Sequence, residues 1–163
     1  LSATEHYADE RHLMATRYSE YNVTIVTNHK TLTAEAEHVL KQRLKTFFET
    51  DLVKPNVLGD MFVFSPNISI VDHVKVTAGV ELGPKTGFVH GHAVLLIEHH
   101  GKVSLKKQGA QAALQRHVVA SVGTRGAYSN IQLANAQLLN YVVKTSGGAE
   151  EIESTGIRET ISF

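Results

Sequence analysis

The chain contains no cysteine. Disulfides and thiolate-held metals are therefore excluded, a reducing compartment is compatible, and a metal could find only histidine, carboxylate or backbone oxygen. No stretch approaches roughly eighteen consecutive apolar residues, so no helix is expected to span a membrane. No basic leader with an apolar core opens the sequence, so no export signal is expected, and Leu1 in place of Met is expected of a fragment of a longer protein. Charge of one sign is also missing: 16 Lys and Arg balance 16 Asp and Glu, for a formal net charge of zero. A domain that grips long duplex is usually distinctly basic, and this one is not. There is no internal repeat and no G-x-x-x-x-G-K-[ST] phosphate loop.

What is present fits one folded domain. At 163 residues, 42% apolar and 20% charged, the chain can bury a core and is too apolar for a disordered one. Residues 1–20 are polar and mixed, with a short helix expected around Glu10 to Tyr18, and read as an N-terminal extension. Residues 21–146 carry the patterned segments, and 147–163 read as a C-terminal tail, a short strand or disordered.

Within 21–146, Val23 to Thr27 is a β-branched run and predicts a strand. Thr33 is an N-cap ahead of acidic Glu35 and Glu37. Ala36, Val39, Leu40, Leu44, Phe47 and Phe48 recur at helical spacing, predicting a helix over 34–49. Thr50 to Asn67, with Pro55, Gly59 and Pro66, reads as a loop holding one short strand. Val74, Val76, Ala78 and Val80 alternate with polar residues, a half-buried strand with Glu81 on its polar face. After the turn Gly83 to Gly87, Phe88 to Ile97 is the most apolar strand, and the two should pair as an antiparallel hairpin. Helices are expected at about Lys106 to Val119 and Asn130 to Lys144. The sum is an α+β fold, a central antiparallel sheet with helices packed on one face.

Ten histidines are many for this length, and two of them form His90-Gly91-His92 inside the apolar strand. Alternation puts both imidazoles on one face. Imidazoles among Val, Leu and Phe need partners, and a divalent metal is one. Among ten histidines such a pair also arises by chance, so Glu81, folded back beside it by the hairpin, matters. Two imidazoles and one carboxylate make a three-sided site with open positions, suited to Mg²⁺ or Mn²⁺, and a metal there can polarise a phosphodiester oxygen. Further on, Tyr141 and Lys144 lie three apart on one face of the expected last helix. A phenol can attack phosphorus when a cation stabilises the developing charge, and Gln137 lies one turn before Tyr141. No acid occurs between Gly101 and Glu150, where Lys102, Lys106, Lys107, Arg116 and Arg125 form either a DNA-binding patch or a solvated helix face.

Taken in order, Glu81, His-x-His and Tyr-x-x-Lys resemble the HUH endonucleases, over about Asn22 to Ser146. Within that superfamily the chain is most similar to the rolling-circle replication initiators of circular single-stranded DNA viruses and related plasmids. Phe88 to Leu96, followed by Gly101-Lys102, is also similar to the strand of parvovirus initiators. The resemblance implies an RRM-like sheet, Mn²⁺ or Mg²⁺ held by Glu81, His90 and His92, Tyr141 as the nucleophile and Lys144 as its assistant. The product implied is a 5′-phosphotyrosine with a free 3′-hydroxyl, and the reverse step joins strands. The implied partners are single-stranded DNA at an origin stem-loop or repeat, a helicase, fused or separate, and further copies of the chain in an oligomer. The implied location is the host nucleus for a viral chain, or the cytoplasm for a bacterial replicon. The chain departs from the family at Gly91, where a bulky apolar residue is usual, and in the longer connection Thr50 to Asn67. Three other readings stay open: a metal-dependent phosphodiester hydrolase without a covalent intermediate, a non-catalytic origin-binding module, and a structural protein with packed histidines.

Overall fold

In chain order the elements are β1 (Arg17–Lys30), α1 (Ala34–Thr46) with a π-helical turn (Phe47–Asp51), α2 (Pro55–Met61), β2 (Phe62–Ser65), a 3-10 turn (Ile68–Ile70), β3 (Val71–Leu82), β4 (Phe88–His99), β5 (Lys102–Leu105), α3 (Ala110–Val122), β6 (Tyr128–Leu133) and β7 (Glu150–Thr155). This computed structural model describes residues 15–30, 33–83, 87–123, 128–134 and 150–155, with 28–30 and 150–155 described by their backbone alone. Five strands form one sheet in the order β6-β1-β4-β3-β7, and every neighbouring pair is antiparallel. β2 and β5 pair separately as a two-stranded sheet. The architecture is α+β.

The period of two divides the large sheet into two faces. Val23 and Ile25 of β1, Val74, Val76, Ala78 and Val80 of β3, and Val89, Ala93, Leu95 and Ile97 of β4 are all buried on one of them. They form a single cluster with Leu44, Phe47, Phe48, Leu114 and Val118 of the helical layer. α1 reaches the sheet at Gly91, where an added Cβ would lie 2.6 Å from Phe48 Cε2 and 3.1 Å from Leu44 Cδ2. A glycine is needed there for close approach. α1 itself starts as its residues dictate, with the Thr33 side chain accepting from the Ala36 N–H at 3.0 Å. α3 ends on Gly123, whose φ of 78° is the left-handed conformation that stops a helix. Its Gln111 amide bonds both backbone groups of Ile131, at 2.5 and 2.8 Å, and so covers the outer edge of β6.

Several expectations are corrected. Residues 130–133 are not the start of a helix. Tyr128 to Leu133 pair with β1, Ile131 is buried opposite Val23, and the segment is an edge strand. Arg17 and Tyr18 belong to β1 rather than to a helix, and β1 runs well past both ends of Val23 to Thr27. The connection Thr50 to Asn67 contains α2 as well as β2, with Pro55 in the first turn, where its missing N–H costs nothing. α3 begins at Ala110 rather than Lys106, since Lys102–Leu105 pairs with β2 and residues 106–109 form a turn. The sheet also reaches beyond 21–146 at both ends, through Arg17 and through β7, which pairs with β3.

Candidate metal centre

The site is made by the β3–β4 hairpin. Gly83 donates its N–H to the Phe88 carbonyl at 2.8 Å, and Gly87, at φ 71°, closes the turn. The resulting register sets Glu81 directly opposite His90 and Gly79 opposite His92. All four lie on the face away from α1, since Gly91 between the histidines points to Phe48. The expected convergence of Glu81, His90 and His92 is therefore present in the fold.

Glu81 Oε1 lies 2.6 Å from His90 Nε2. The two imidazoles are 5.2 Å apart between centroids and inclined at 73°. One ligand atom from each of the three residues falls within 4.8 Å of the others. The side chains of His90 and Glu81 are 13% and 25% exposed, open enough for an ion and its remaining ligands to enter.

Burial pushes the His92 pKa below the ordinary histidine value, the nearby His90 adds to this, and Glu81 opposes it. His92 is thus held as the neutral imidazole that metal ligation requires. Its Nδ1 lies 3.4 Å from the Thr24 hydroxyl, contributed by β1 on the other side of β4. Thr24 is a neighbour that sequence reasoning missed. It is one of several β-branched residues in its strand, and only the β1–β4 register pairs it with His92.

Among the described residues, these three form the only group of three or more His, Asp and Glu side chains gathered closely enough to hold one ion. Other histidines have different partners. His117 Nε2 is 2.8 Å from Asp60, His100 Nε2 is 2.5 Å from Asp72, and His99 Nε2 is 2.8 Å from the Ser19 hydroxyl. Lys102, Lys106 and Lys107 are not brought to the trio. They follow the far end of β4, where His99 lies about 23 Å of strand from His92. Tyr141, Lys144, Gln137 and Arg125 lie outside the described residues.

The donor set fits a divalent ion. Two imidazoles and a carboxylate leave coordination positions open, as a site that acts on a substrate requires. No protein-family model matches the chain, and no curated protein matches it either.

Proposed function

We propose that the chain is a metal-dependent enzyme that nicks and joins single-stranded DNA through a tyrosine, in the manner of the HUH replication initiators. The observation that carries this reading is the placement of Glu81, His90 and His92 on adjacent antiparallel strands with their ligand atoms within 4.8 Å. The order of Glu81, His-x-His and Tyr-x-x-Lys along the chain supports it. A divalent ion bound at the trio supplies Lewis-acid stabilisation of the charge that develops on a phosphodiester.

The chain's own groups do the rest. Glu81, His90 and His92 hold the ion, and His92 does so as a neutral imidazole. The Tyr141 oxygen forms a bond to phosphorus as the bond from phosphorus to the 3′-oxygen breaks. The phenol gives up its proton, and the leaving 3′-oxygen gains one. Lys144 offsets the negative charge on the phenol as it reacts. The phosphotyrosine retains the phosphodiester energy, so attack by a 3′-hydroxyl reverses the step and joins strands. On this reading the partners are single-stranded DNA at an origin stem-loop or repeat and a helicase, with action in the host nucleus for a viral chain or the cytoplasm for a bacterial replicon.

The test is a denaturing gel of the wild-type chain, Tyr141→Phe and His90→Ala, each mixed with Mn²⁺ and single-stranded oligonucleotides carrying stem-loops. The expected result is a wild-type band shifted upward by covalently attached DNA and absent from both variants. Cleavage that persists in Tyr141→Phe without an adduct overturns the tyrosine mechanism in favour of a hydrolase. Binding without cleavage by the wild-type chain favours the origin-binding module.

A further inference from the structure

His90 and His92 are held differently by their neighbours in the sheet. Across the β3–β4 pair, His90 faces Glu81, whose carboxylate lies 2.6 Å from the His90 Nε2. His92 faces Gly79, which has no side chain to offer. The other cross-strand partner of His92 is Thr24 of β1, and the Thr24 hydroxyl lies 3.4 Å from His92 Nδ1. The same register keeps Thr24 on the face of the trio, because side chains directly opposite one another share a face.

Strand formation asks for a β-branched side chain at this position, not for a hydroxyl. Val23, Ile25 and Val26 around it meet that demand without one. The hydroxyl of Thr27, on the same strand, donates to the backbone carbonyl of Val89. That of Thr24 meets the ring of a candidate metal ligand instead. An imidazole nitrogen binds a metal only when it carries no proton, and the group beside the other nitrogen decides where the proton sits. A hydroxyl oxygen can accept from a ring N–H. With Nδ1 beside the Thr24 oxygen, the ring donates there and presents Nε2 to the ion. Resting on the reading that Glu81, His90 and His92 hold a divalent ion, we propose that Thr24 is a positioning residue. It accepts a hydrogen bond from the Nδ1–H of His92 and so fixes the tautomer and the orientation of that ring.

The test is calorimetric titration of Mn²⁺ into the wild-type chain, Thr24→Val and Thr24→Ser. Valine keeps the β-branched shape and removes the hydroxyl, whereas serine keeps the hydroxyl and removes the methyl group. Thr24→Val is expected to bind Mn²⁺ about tenfold or more weakly than the wild type, and Thr24→Ser within about threefold of it. Long-range proton–nitrogen NMR spectra of the metal-free chains, at about pH 7.5 where histidine is neutral, give a second readout. His92 is expected to carry its proton on Nδ1 in the wild type and in Thr24→Ser, and to shift towards the Nε2-protonated form in Thr24→Val. Equal affinity in all three chains, or equal weakening in both variants, overturns the role of Thr24 while leaving the trio as a metal centre. A wild-type His92 protonated on Nε2 does the same. Failure of the wild type to bind Mn²⁺ overturns the metal centre and the role of Thr24 together.

Discussion

Gly91 separates the two histidines, and its lack of a side chain lets Phe48 lie against the sheet directly beneath the metal centre. Phe48, in the π-helical turn that follows α1, occupies the volume that a side chain at position 91 would need. Phe48 is fully buried and has nowhere to retreat. Gly91→Ala is therefore expected to cost about 1–3 kcal/mol through overpacking, read as a lower denaturant midpoint, and Phe48→Leu should recover part of that loss. A second residue-scale consequence concerns His99, which is 2% exposed. Its Nδ1–H donates to the His100 carbonyl at 3.2 Å, leaving Nε2 to accept from the Ser19 hydroxyl at 2.8 Å. Burial lowers its pKa, so the folded chain resists protonation that the unfolded chain accepts. Above about pH 6.5 both states are neutral and the full stability is present; below it the unfolded state binds the extra proton and stability falls. Melting curves from about pH 7.5 to 5.5 should show a drop in Tm that is smaller in His99→Gln. An equal drop in both chains would remove His99 as its source.

At the scale of elements, what the sequence disclosed followed from local signals. The β3–β4 hairpin was legible because alternation, a glycine-bounded turn and an apolar partner strand all agree. Those signals together were enough to predict that the hairpin folds Glu81 back near His90 and His92, and the register then sets it opposite His90. The Thr33 cap and the spacing Leu40, Leu44, Phe47 and Phe48 gave α1 in the same way. α2 was hidden because Pro55 and Gly59 read as breakers, and Pro55–Met61 is too short for a helical period to show. The strand β6 was hidden because Ile131 and Ala134 also fit a helical spacing, and only pairing with β1 decides between the two periods. Thr24 comes beside His92 through cross-strand register, which is set far away in the chain and leaves no local trace. The loop and helix readings of residues 50–67 differ in energy. Leu58 is fully buried in α2, so Leu58→Ala should cost about 2–5 kcal/mol in urea unfolding, whereas an exposed loop leucine would cost less than about 0.5.

For the molecule as a whole, the sheet carries the apolar core on one face and the candidate metal centre on the other. One face carries the apolar core against α1 and α3; the other carries Glu81, His90, His92, Thr24 and the amides of β1 and β6. The proposed function depends on the three converging side chains holding one ion. The most direct measurement is calorimetric titration of Mn²⁺ into the wild-type chain and into Glu81→Ala, His90→Ala, His92→Ala and His73→Ala, the last a histidine near the far end of β3. A single site is expected in the wild type and in His73→Ala, with its loss or severe weakening in each of the other three. Equal binding by the wild type and the three ligand variants, or no binding by the wild type, would contradict it.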